Sequence, residues 1–351
     1  MISSTKQNDS PAAHPSHTLP QLPLLLPFLL LLTLAGVLAA QPLAANTELW
    51  RTFTTVFVSI LLEAMPFLLL GIIISSLVHV FIAPDFFRNI AVKWPRPLLI
   101  IFAALGGILL PICECGMIPV VRKFMQKGLP PAAAVTYMCA APILNPIVYA
   151  STATAFPSAP WMAVGRMAVA FFVVLTIGWI VSLIVRRSHS FLLLQIDSYR
   201  ETSTHHTGNQ PFLPLSIKLR HATEHMGKEW METTVYLTFG ACITALFQTS
   251  FPRSLLVDAP WMNPALEHVG LITLAYLLSL CSTSDAFIAA SFTSVLAPAS
   301  LLTFLVFGPM MDLKTTLMMM TVFRKRFILL LAFVLLIFVP LFATLFISIV
   351  L

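Results

Sequence analysis

Residues 98–121 read LLIIFAALGGILLPICECGMIPVV. The run has the ~20 residues a helix needs to cross a bilayer, yet it interrupts itself. Pro111 has no amide proton and breaks a helix; Gly116 permits a tight turn. The backbone is freed where Cys113, Glu114 and Cys115 stand. Non-helical backbone at bilayer depth is tolerated only inside protein or beside a water-filled cavity. Two thiols one residue apart suit a soft, thiophilic ligand; the plain alternative is that buried cysteine acts as a small apolar residue. For Cys139 and Cys242, which lack such company, the plain reading is preferred.

Outward from this stretch the chain stays apolar. Hydrophobic residues make up 58% and charged residues 10% of 351, against about 25% charged in a soluble domain. The apolar runs are helix-length, which excludes a β-barrel of short alternating strands. They lie at 22–40, 53–82, 98–121, 132–156, 161–185, 230–251, 269–296, 299–322 and 327–351. The net charge of +6 sits in short basic clusters between the runs, where it sets topology rather than binding nucleic acid. All five cysteines lie in apolar stretches, unlike a secreted disulfide framework. The chain divides into a polar tail at 1–21, a first transmembrane helix at 22–40 (read as uncleaved), a membrane repeat at 50–185, a cytoplasmic linker at 186–228 and a second repeat at 229–351. His205 and His206 in the linker read as solvated, and 215–230 as a segment on the membrane surface.

The two repeats correspond residue by residue. Glu63 and Gly71 match Glu232 and Gly240; Cys113 matches Cys281; Pro142 and Asn145 match Pro309 and Asp312, all at offsets of 167 to 169. If 98–121 and 269–296 re-enter rather than cross, sixteen Lys and Arg fall on the inner side and only Arg51 and Arg253 on the outer, as the positive-inside rule demands. The halves are then inverted, with cysteine hairpins meeting near the midplane, an architecture of secondary transporters. The expected fold is therefore an all-α polytopic membrane protein of two related, inverted halves, each with a broken or re-entrant cysteine-bearing segment.

Ionisable and polar groups inside such spans are functional candidates. Cys281-Ser282-Thr283-Ser284-Asp285 is a polar cluster within an apolar run. Pro142-x-x-Asn145-Pro146 and Pro309-x-x-Asp312 break two further helices and are expected to aim a carboxamide and a carboxylate at one centre. Glu63, deep in its run, is expected to be desolvated and, with Asp285 and Asp312, to carry protons or charge. Arg166 reads as snorkelling to the headgroups, and Asp312 and Lys314, two apart, as not sharing a helical face. Met310, Met311 and 318–320 read as packing. No Gly-rich phosphate loop, catalytic triad or zinc spacing is present, so no cofactor is expected.

The stretches Cys113-Glu-Cys-Gly-Met-Ile-Pro, Ala141-Pro-Ile-Leu-Asn-Pro146, Cys281-Ser-Thr-Ser-Asp-Ala-Phe-Ile-Ala-Ala290 and Phe307-Gly-Pro-Met-Met-Asp-Leu-Lys314 resemble those of the bacterial predicted-permease family that includes ArsP and YraQ. The resemblance covers roughly 50–350 and implies a multi-pass permease of the bacterial inner membrane. The best-understood branch exports trivalent organoarsenicals through membrane cysteines, which implies Cys113, Cys115 and Cys281 as thiol or metal ligands. The pattern here is nearer the YraQ-like branch. The expected function is a secondary exporter of a small thiophilic or metal-like solute, embedded in the bilayer, with a homo-oligomer as a candidate assembly. The alternatives are a membrane thiol oxidoreductase and a non-transporting complex subunit.

Overall fold

The computed structural model describes residues 47–81, 93–109, 112–187, 215–250 and 264–350. The tail, the first apolar run, Pro111, His205, His206 and Arg253 lie outside the described residues. Every described element is a helix. The first half carries α1 (Thr47–Phe81), α2 (Arg96–Leu109), α3 (Glu114–Gln126), α4 (Pro131–Ala140), α5 (Pro146–Ala155) and α6 (Trp161–Arg187). The second carries α7 (Leu215–Ser250), α8 (Pro264–Leu278), α9 (Ser284–Ala290), α10 (Pro298–Met310), α11 (Leu313–Met319) and α12 (Lys325–Val350). Each half thus runs long helix, two short helices around a cysteine, two short helices around a helix break, long helix.

Length decides what each helix can do. Four stretches are long and apolar enough to cross a bilayer: Trp50–Leu77, Trp161–Val185, Pro298–Met319 and Lys325–Val350. At ~1.5 Å per residue, the 14 residues of α2 and 13 of α3 reach only about 20 Å each, short of the ~30 Å hydrocarbon core. The first cysteine run is therefore two half-length helices.

The run 132–156 is α4 and α5, separated at the break expected at Pro142–Asn145. The 215–230 segment opens α7, one helix of 36 residues. The apolar part of α7 is also absent from the four spanning stretches, because Thr233, Thr234, Thr238, Thr244 and Thr249 dilute it. Its small and hydroxylic face is buried instead, with Thr234, Leu237, Ala241, Thr244 and Ala245 inside the protein, packed chiefly against α1.

Within each half the packing repeats: α2 on α4 and α4 on α6; α8 on α10 and α10 on α12. Between halves, α1 packs on α7 and α6 on α12. Two further inter-half contacts correspond to each other: α3 meets α11, and α9 meets α5. Each short helix that follows a cysteine therefore docks on the short helix that follows the other half's break.

The matched glycines explain how the long helices approach. A Cβ on Gly71 would lie 2.6 Å from the Gly116 Cα and carbonyl oxygen, so α1 and α3 are in backbone contact beside the Cys-Glu-Cys stretch. A Cβ on Gly240 would lie 3.2 Å from the Lys314 Cα, which seats α7 on α11. Neither crossing has room for a larger residue without movement.

Candidate functional site

Helix α3 begins at the site. Cys113 is its N-cap, with extended backbone (φ −68°, ψ 164°), so the first turn of α3 carries Glu114, Cys115 and Gly116. Cys113 is half-buried; Glu114 and Cys115 are each 3% exposed. The Cys113 and Cys115 thiols lie near each other. Glu114 Oε2 has no hydrogen-bond partner, although a buried carboxylate oxygen is ordinarily paired.

Opposite stands the start of α11. Asp312 is its N-cap: Oδ1 accepts from the Thr315 amide at 2.6 Å, a standard way to satisfy a free amide of the first turn. Its other oxygen faces the Lys314 ammonium at 3.7 Å. Lys314 is buried and exerts its field on Asp312, Cys115, Glu114 and Cys281 together. Asp312 and Lys314 were expected to point apart. They pair because Asp312 lies outside the helix as its cap, so the helical spacing rule does not govern it.

The second cysteine turn closes the arrangement. Cys281 Sγ lies 3.1 Å from Thr283 Oγ1 and 3.0 Å from Ser284 Oγ. The Ser284 hydroxyl also donates to the Cys281 carbonyl at 3.3 Å, and Ser282 is buried beside them. Glu63 of α1 lies near the Cys281 thiol, which brings the first half to the second half's cysteine. Glu63 itself is exposed on α1, because the side of α1 that packs inward carries Ala64, Leu68 and Ile72. Just before this turn Ser279 has φ 46°, a region costly for a residue with a Cβ. Its hydroxyl accepts from the Leu313 amide at 3.1 Å, tying the cysteine turn to the start of α11.

Asp285 heads in another direction. Its Oδ2 accepts from Arg166 Nη2 at 2.6 Å, and Arg166 Nη1 donates to Thr152 Oγ1 at 2.9 Å. Thr152 spends its own proton on the Val148 carbonyl at 2.8 Å. Arg166 is 0% exposed, so it does not snorkel. The cause is a partner: a guanidinium within an apolar helix pairs inward when a buried carboxylate is in reach.

Among the breaking residues, Asn145 caps α5 by accepting from the Ile147 amide at 2.9 Å. Pro142 and Pro309 are buried at their breaks, and Pro146 is exposed as the first residue of α5. Asn145 and Asp312 thus perform the same capping task at matched positions. Among the described residues no three His, Cys, Asp or Glu side chains converge as a metal site, so Cys113, Cys115 and Cys281 form no ready three-thiol cage. Cys139 is fully buried in the core; Met310, Met311, Met318 and Met319 pack there too. The Glu232 side chain lies outside the described residues. Sequence reasoning missed the roles of Arg166, Thr152 and Lys314. The available signal was charge counting: Arg166 and Asp285 are each a lone charge in an apolar run, and such charges seek one another.

Comparison with known proteins agrees with this architecture. A family model described as a predicted permease, of the ArsP type, matches residues 49–347. The chain is 40% identical over 278 residues to the UPF0718 protein YcgR of Bacillus subtilis (strain 168), covering 79% of this chain and 90% of that protein. It is 33% identical over 274 residues, 78% of this chain and 88% of the relative, to a protein of Streptococcus mutans serotype c (strain ATCC 700610 / UA159) provisionally described as a two-component membrane permease complex subunit. No solved structure matches the chain. With its several apolar helices, the chain belongs to the ArsP-type predicted permease family, as a multi-pass membrane protein whose role is transport rather than enzymatic catalysis.

Proposed function

We propose that the chain is a secondary exporter of a small thiophilic or metal-like solute, with its two halves oppositely oriented in a bacterial inner membrane. Cys113, Cys115 and Cys281 are the thiol ligands, engaged in turn as the solute passes. Glu63, Glu114, Asp285 and Asp312 handle charge. Gly116, Pro142, Asn145, Pro146, Ser282, Thr283, Ser284 and Pro309, at or beside the helix breaks, line the route. One arrangement supports the reading: α3, which starts beside Cys113 and Cys115, packs on α11, where the Lys314 ammonium faces Asp312 at 3.7 Å and the Leu313 amide donates to Ser279 beside the Cys281 turn, so thiols and acids of both halves stand around one buried ammonium.

The test is uptake into everted membrane vesicles, with arsenicals, antimonials, copper, zinc and thiol-reactive compounds as probes. At least one probe is expected to accumulate, with the rate lost in Cys115→Ser and Cys281→Ser and kept in Cys139→Ser. Undiminished transport in all of Cys113→Ser, Cys115→Ser and Cys281→Ser removes the thiol mechanism. A second reading, that the chain works only within a complex, is favoured by the description of the Streptococcus mutans relative. Transport by the purified chain alone in lipid vesicles rules it out.

A further inference from the structure

The Arg166–Asp285 pair is built unlike an ordinary structural bridge. It joins the two halves, linking α6 to α9. It is buried on both sides, at 0% and 2% exposure. Yet it is incompletely satisfied: Asp285 Oδ1 and Arg166 Nε have no hydrogen-bond partner. The guanidinium therefore grips one carboxylate oxygen and Thr152, rather than both oxygens in the bidentate form that such pairs favour. Asp285 also begins the α9 turn through its amide, which donates to the Cys281 carbonyl at 3.0 Å. Whatever holds Asp285 fixes the Cys281 turn.

We propose that Arg166 is a surrogate cation: it occupies Asp285 while the route is empty, and the α5–α9 junction opens when a cationic group takes its place. The argument is electrostatic. Separating a buried ion pair leaves two uncompensated charges, each costing several kcal/mol. A guanidinium cannot shed its charge by losing a proton. The junction therefore opens at least cost when another cation neutralises Asp285 as Arg166 withdraws. Arg166 is then a positioning residue, acting on the Cys281 turn through Asp285, and the ligand class at Asp285 is cationic. This rests on the permease reading for its purpose, though not for its test.

The test uses the full chain in lipid nanodiscs and the rate of Cys281 alkylation by N-ethylmaleimide, read by peptide mass spectrometry. Cys139, 0% exposed in the core, reports loss of fold. Arg166→Ala is expected to speed Cys281 labelling on the order of tenfold, the equivalent of ~1.4 kcal/mol, with Cys139 silent. Methylguanidinium, displacing Arg166 from Asp285 in the unsubstituted protein, is expected to speed Cys281 labelling there; neutral methylurea is not. Asp285→Asn is expected to speed labelling with no response to methylguanidinium. If Arg166→Ala exposes Cys139, the double variant R166M/D285L, which carries no unpaired charge, replaces it and must show fast Cys281 and silent Cys139. Unchanged Cys281 labelling in a folded variant overturns the latch, and equal acceleration by methylurea overturns the cationic ligand. Absence of transport for every solute with these labelling responses intact would remove the permease reading and leave the latch standing.

Discussion

The contact of α3 with α11 and the contact of α9 with α5 occupy corresponding places in the two halves, yet their chemistry differs. At the first, thiols and two buried acids share one ammonium 3.7 Å from Asp312, and Glu114 keeps an unpartnered oxygen. At the second, one acid meets one guanidinium at 2.6 Å. The scaffold is repeated; the charges are not. Glu114 has Ser282 as its sequence counterpart, and Asp285 has Met117. The lesson is that the repeat preserves where backbone is opened, while each opening was furnished separately: one as a reactive, charge-rich contact, the other as a closed clasp.

The comparison breaks first at its scaffold. Gly71→Leu is expected to abolish monodisperse folded protein, because the atoms at 2.6 Å are backbone of α3 and cannot rotate away; overpacking costs of ~1–3 kcal/mol apply where side chains can adjust. Size-exclusion profiles of Gly71→Leu and Gly240→Ala test this, the latter expected to survive since its nearest contact is 3.2 Å. Next come the charges. Asp285→Asn should lower stability by about 3–5 kcal/mol, since it strands a buried guanidinium that stays charged. Lys314→Met should cost less, because the acids it leaves can take up protons. Thermal unfolding of the two variants ranks them, and the reverse order would deny the contrast. The smallest effect is at the matched caps: Asn145→Ala should cost about 1 kcal/mol, and Asp312→Asn, which retains the capping oxygen, should leave helix content unchanged while weakening the hold on Lys314. Circular dichroism melting curves measure both.

Much of this was legible before any coordinates. Proline, glycine and cysteine spacing marked both cysteine breaks and both Pro-x-x-Asn/Asp breaks, because these residues act on local backbone. The element-by-element match of the halves follows from the same landmarks. What could not be read was which charge meets which. Arg166 and Asp285 are 119 residues apart, and nothing local announces their meeting; a helix-end position made lipid headgroups the natural partner for Arg166. The side of α1 that Glu63 occupies was not legible either: depth along an apolar run says nothing about which side of the helix a residue occupies. The Asp312–Lys314 pairing was hidden by assuming a helix through a residue that instead caps one.

Ser279 carries a consequence of its own. Its left-handed backbone and its hydroxyl on the Leu313 amide bind two loops of the second half through a side chain only one carbon long. The Cys281 thiol and the Lys314 ammonium therefore ride on a common rigid lever. A push on one is delivered to the other within a single hydrogen bond's length, so an event at the sulfur is felt as a displaced charge some thirty residues along the chain.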